Sequence, residues 1–134
     1  MIRVLICDDQ PVISEGLRAI LSTVDFIDVV GTASNGQQAV ESAAILRPDV
    51  VLMELYMPVM NGIQATRLIH SLYQNIHVLA LATYDFDEWI SDAVRNGAQG
   101  YLLKDSPREV LAAGIQAAAA GKNSVNISPN INAG

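Results

Sequence analysis

Asp49-Val50-Val51-Leu52-Met53-Glu54-Leu55-Tyr56-Met57-Pro58 is the stretch on which the fold turns. An unbroken apolar run of this length, cut off by a turn, reads as a wholly buried strand. It stops on one carboxylate. A charge at the mouth of a hydrophobic strand costs desolvation energy unless something nearby compensates it, so the surroundings of Glu54 decide the function.

Working outward, similar β-rich runs occupy Ile2 to Cys7, Asp28 to Thr32, His77 to Leu81 and Tyr101 to Leu103, and each is followed by helical spacing. The first helix is expected to open at Pro11 and to turn Val12, Ile13, Leu17, Ile20 and Leu21 inward. The second is expected from Gln37 to Leu46, before Pro48. The third, from Gly62 to Leu72, is expected to bury Ile63, Ala65, Leu68, Ile69 and Leu72. The fourth, from Phe86 to Asn96, uses Phe86, Ile90, Ala93 and Val94 and stops at Gly97 as a C-terminal cap. Ser106-Pro107-Arg108-Glu109 predicts a capping box at the start of the fifth. Strands alternating with helices imply an α/β fold: a doubly wound, five-stranded parallel sheet with right-handed crossovers. Residues 1 to 121 form the expected domain, and the asparagine-rich stretch 122 to 134 reads as a linker.

Composition sets outer bounds. The 134 residues are 51% hydrophobic and 16% charged, which fits one compact domain. No apolar stretch approaches the roughly 18 residues that cross a bilayer, and Cys7-Asp8-Asp9 turns acidic too early for a signal peptide. No membrane association and a cytoplasmic location are expected. Cys7 is the single cysteine and reads as a small core residue. A formal net charge of −6 argues against this domain gripping phosphate backbones by itself.

The carboxyl ends of parallel strands, near the point where strand order reverses, are where such sheets bind ligands. Asp8 and Asp9 end the first strand, Glu54 the third, Ala82 the fourth and Lys104 the fifth. Clustered acids raise one another's pKa unless a cation sits among them, and an oxygen-only donor set suits Mg2+. Lys104 adds a charge able to hold an anionic group beside the metal. Together they point to phosphoryl transfer, where catalysis is mainly positioning and charge neutralisation. Taken singly, Asp8-Asp9 reads as a helix cap and Lys104 as a solvated loop charge; the joint placement carries the signal.

Cys7-Asp8-Asp9-Gln10, Met57-Pro58-Val59-Met60-Asn61-Gly62 and Gly97 to Asp105 are the segments by which the chain resembles a receiver domain of bacterial two-component response regulators, in the subgroup carrying a LuxR-type helix-turn-helix (NarL/FixJ-like). The resemblance covers residues 2 to 121 and implies the CheY-like strand order 2-1-3-4-5. It implies a phosphoacceptor at position 54, weak Mg2+ binding by Asp8, Asp9, Glu54 and the main-chain carbonyl of Tyr56, and Lys104 pairing with the phosphoryl group. It further implies a hydroxyl at the end of the fourth strand and an inward-moving aromatic, Tyr101, as the switch. The partners it implies are a sensor histidine kinase, DNA through an effector domain outside this sequence, and a second copy. Dimers of the subgroup use helices one and five, or the face from helix four through strand five to helix five. The chain is expected to be a signalling domain and not an enzyme.

Two positions depart from that pattern. Glu54 stands where the family has aspartate, and Ala82 stands where it has threonine or serine. Thr83 is adjacent, but strand alternation points it the other way. The extra methylene moves the carboxylate by about 1.5 Å, and a misplacement of about 1 Å costs about a hundredfold in rate. Glutamate also carries one charge against about −1.5 to −2 for a phosphorylated side chain. Ala82 removes a hydrogen bond to a charged oxygen worth roughly 1.5–3 kcal/mol. A phosphorylation-deficient or partly phosphomimetic variant is therefore expected, by engineering or as a natural phosphorylation-independent receiver; both origins stay open. A flavodoxin-like FMN carrier is the alternative from another class, although Asp8-Asp9-Gln10-Pro11 repels phosphate where a flavin loop would bind it.

Trp89, Ile115 and Ala119 are candidate interface residues. Trp89 lies off the apolar stripe of its helix and reads equally as an exposed anchor or as half-buried packing. The alanine-rich fifth helix fits either a second helix or its own sheet.

Overall fold

The computed structural model describes residues 1–121; the expected linker at 122–134 lies outside the described residues. Five strands alternate with five helices: β1 (Ile2–Cys7), α1 (Pro11–Leu21), β2 (Ile27–Ala33), α2 (Gly36–Leu46), β3 (Val50–Glu54), α3 (Gly62–Leu72), β4 (His77–Ala82), α4 (Glu88–Arg95), β5 (Gly100–Leu103) and α5 (Arg108–Ala119). The sheet is parallel throughout, in the order β2-β1-β3-β4-β5.

Strand alternation divides the interior into two cores. Leu5, Cys7, Val51, Met53, Val78 and Ala80 pack against α2, α3 and α4. Val4, Ile6, Val50, Leu52, Leu79 and Leu81 pack against α1 and α5. Because β3 contributes to both, every one of its residues is buried, which is why its sequence shows no polar alternation. Cys7, the last residue of β1, is buried in the first of these cores, and burial pushes its thiol well above the ordinary range.

Register then sets the edge. Cys7 pairs with Met53, Glu54 with Leu81 and Ala82 with Leu103, so Asp8, Glu54 and Lys104 emerge at one carboxyl edge. The strand order reverses between β1 and β3, and the crevice opens there.

Several helix faces differ from expectation. On α1 the buried stripe is Ser14, Leu17 and Leu21; Val12 and Ile20, expected inward, face solvent because they fall outside that arc. On α3 the stripe is Gly62, Ala65, Thr66 and Ile69, leaving Leu68 and Leu72 exposed. Phe86 precedes α4, which starts at Glu88 under an Asp87 cap, and is 83% exposed. The capping box expected at Ser106 does not form. Ser106 N closes a turn on Leu103 O instead, and α5 begins one residue later with Pro107 at the cap position. A capping box does form at α3, between Asn61 and Gln64. The C-terminal stop at Gly97 is borne out, with a φ of 118°.

Gly62 lies so close to the end of β3 that a Cβ would sit 2.0 Å from the Glu54 carbonyl oxygen. Its amide donates to Leu55 O at 2.9 Å, drawing the loop after Glu54 back toward the strand. Gly16, in the middle of α1, has open space around it. Gly62→Ala is expected to destabilise the fold by about 1–3 kcal/mol or more through backbone overlap, and Gly16→Ala to stabilise it by about 0.5–1 kcal/mol through helix propensity. Urea denaturation midpoints of the two variants check both signs.

Candidate metal centre

Asp8 and Glu54 are 2% and 7% exposed, so the two carboxylates are largely withdrawn from water; Asp9 beside them is exposed. One oxygen from each of the three lies within 4.8 Å of the others. Lys104 compensates them. Its Nζ bonds Glu54 Oε1 and lies 2.9 Å from Asp8 Oδ2. Burial alone would lower the ammonium's pKa, but the pull of Glu54 and Asp8 outweighs it and the net shift is upward. The Lys104 amide donates to Ala82 O at 2.9 Å, which fixes where the side chain departs from β5.

The remaining oxygens are differently served. Asp8 Oδ1 accepts from Gln10 N at 2.9 Å and thereby shapes the turn into α1. Glu54 Oε2 accepts from Leu55 N at 2.6 Å and from Tyr56 N at 3.2 Å. The longer side chain thus folds back over its own following amides instead of reaching outward. Asp8 Oδ2 is buried, and its partner is the Lys104 ammonium 2.9 Å away. Three carboxylate oxygens gathered at one edge, two of the groups buried, form an oxygen-only donor set that a small divalent cation would complete, so the residues fit Mg2+.

Ala82 is buried in the core shared with α2, α3 and α4, and so is Tyr101, at 8% exposure. Thr83 lies past the end of β4 and is exposed. Ile115 is wholly buried against the sheet, so it offers no surface to a partner; Ala119 is partly covered.

Trp89 is half-buried, and the reason is a contact the sequence reading missed. The Tyr56 ring stacks on it at 4.1 Å between centroids and 28° between planes. Tyr56 OH donates to Asp87 Oδ1 at 2.7 Å, and the same oxygen accepts from Trp89 N at 2.9 Å as the N-cap of α4. Tyr56 is about half exposed; partial desolvation, then the bond to Asp87 and its charge, push its phenol above the ordinary pKa. An aspartate before Glu88-Trp89 was the available cap signal; the partner of Tyr56, 31 residues away, had none.

Residues 4–116 match the family model described as the response regulator receiver domain. The transcriptional regulatory protein LnrK of Bacillus subtilis is 41% identical over 121 residues, which cover 90% of this chain and 55% of that protein. The chain spans about half the length of such curated relatives. Among solved structures, the signal receiver domain of the response regulator NarL from Mycobacterium tuberculosis superimposes with a TM-score of 0.85 at 34% identity, covering 90% of this chain and 98% of that one. A LuxR-family two-component response regulator from Aurantimonas gives 0.88 at 29%, covering 99% and 94%.

Because the Lys104 value is raised on folding, its contribution to stability is fully present below about 10.5, the ordinary value, and is lost as pH climbs through the raised one. Lys104→Met is expected to cost about 1–3 kcal/mol at pH 7, with the deficit narrowing as pH passes that range. Denaturation curves of both chains across alkaline pH check this; a constant deficit would show that the ion pairs contribute none of it.

Proposed function

The chain belongs to the response regulator receiver family, and from that premise we propose that it is the receiver half of a two-component transcriptional regulator whose phosphorylation chemistry has been lost. The observation that carries the reading is the state of Glu54. One of its oxygens is held by Lys104 and the other by the Leu55 and Tyr56 amides, so the carboxylate is tied down on both sides. An in-line attack on a phosphodonor needs that oxygen free and correctly aimed.

Asp8, Asp9, Glu54 and the Tyr56 carbonyl would hold Mg2+, which when bound neutralises charge on a transferring phosphoryl group. Lys104 would pair with that group. Ala82 has no hydroxyl to grip it, and Thr83 faces solvent. Tyr101 is already buried with no hydroxyl at position 82 to draw it inward. In this reading the domain is a signalling element and not an enzyme, and its partner is a sensor histidine kinase. DNA is reached through an effector domain outside this sequence, consistent with the net charge of −6. A homodimer would use α1 with α5, or the face of α4, β5 and α5, with Trp89 and Ala119 as candidate contacts. No helix among the described residues is long and apolar enough to cross a membrane; the cytoplasm is the proposed location. Family membership removes the FMN-carrier alternative. A natural phosphorylation-independent receiver is the second reading, favoured by the same tied-down Glu54, since Lys104 needs no phosphoryl group to be held in place.

Intact mass after treatment with a small phosphodonor and Mg2+ tests the proposal. Little or no adduct is expected on this chain, at most about a hundredth of the Glu54→Asp rate, and a product 80 Da heavier, by roughly the mass of a phosphoryl group added, on the aspartate variant. Equal labelling of both would show that Glu54 is not the acceptor position. Calorimetric titration is expected to show weak Mg2+ binding that Asp8→Ala abolishes; no binding to the unsubstituted chain would count against the metal site.

A further inference from the structure

We propose that the Tyr56 side chain is a positioning residue: latched to Trp89 and Asp87, it couples the Glu54 carboxylate to the N-terminus of α4 by a route that needs no hydroxyl at position 82. Every link is a short contact. Glu54 Oε2 is bound to the amides of Leu55 and Tyr56, at 2.6 and 3.2 Å, so the placement of this carboxylate and of the Tyr56 backbone are one variable. The Tyr56 ring lies against Trp89, and its hydroxyl donates to Asp87 Oδ1 at 2.7 Å. That oxygen also caps α4 through Trp89 N at 2.9 Å, and Asp87 is only 8% exposed. The Ile90 amide closes on Asp87 O at 3.1 Å, so Asp87 holds the first turn of α4 by both side chain and main chain.

Displacement of the Tyr56 backbone must therefore move the ring, slide it on Trp89, or break the bond to Asp87. Each outcome changes the cap of α4. The contacts that carry the coupling are all between protein atoms, and it does not rest on the function proposed above. A ring that merely shields the core beneath Trp89 would cover apolar surface equally well without transmitting anything from Glu54.

A substitution cycle separates the two roles. Amide hydrogen exchange is measured by NMR at Trp89 and Ile90 in the unsubstituted chain, Glu54→Ala, Tyr56→Ala and the double variant, with Glu54→Gln as a milder replacement that keeps the fold. Glu54→Ala is expected to change exchange at both amides by at least about threefold when Tyr56 is present and by less than about 1.5-fold when it is absent, a difference of the size direct coupling gives. Tyr56→Phe, which keeps the ring and loses the hydrogen bond, is expected to fall between. The Gln38 amide, capped by Asn35 at the start of α2, serves as the control and is expected to stay constant. Equal changes in both Tyr56 backgrounds, no change in either, or an equal change at Gln38 would each overturn the coupling.

Discussion

Two buried carboxylates at the end of a hydrophobic sheet are held in place by one ammonium group. Without Lys104, Asp8 and Glu54 would face each other with little water to screen their repulsion. With it, both carboxylates are paired at the edge where β1, β3 and β5 end. The lysine reaches them because β5 is fixed to β4, and β4 to β3, by parallel register that the two apolar cores enforce. Site geometry is therefore a consequence of packing in the middle of the sheet, well away from the charges.

Glu54 changes the character of this edge more than its single extra methylene implies. The lengthened side chain meets its own backbone, since the loop after β3 is pulled back by Gly62 and presents two amides. Sequence reasoning placed the carboxylate further out. The structure folds it inward, because two amide donors beside a partly desolvated carboxylate are worth more than reach. Glu54 thus serves as a structural anion that caps two backbone amides, similar in role to a helix cap.

The parts legible in the sequence were those fixed by local pattern. Unbroken apolar runs such as Val50 to Met53 marked the strands within a residue, and Pro11 and Gly97 marked helix ends. Strand ends then delivered Asp8, Asp9, Glu54 and Lys104 to one edge by topology alone. What stayed hidden depended on choices between competing partners. Val12, Leu68 and Leu72 look like core residues until the sheet shows how narrow a stripe it covers. Ser106 had the right spacing for a cap, yet its amide closed a turn on Leu103 instead. Tyr56 and Asp87 belong to separate loops, and nothing in either segment names the other.

The division of the interior into two cores separates what folds the domain from what it displays. Asp8, Glu54 and Lys104 sit at the strand ends, at the margin of the apolar packing that holds the sheet. Substitutions at the edge therefore leave the packing around Leu5, Leu52, Leu79 and Ile115 in place. The folded body is thus separable from the charges displayed at its rim.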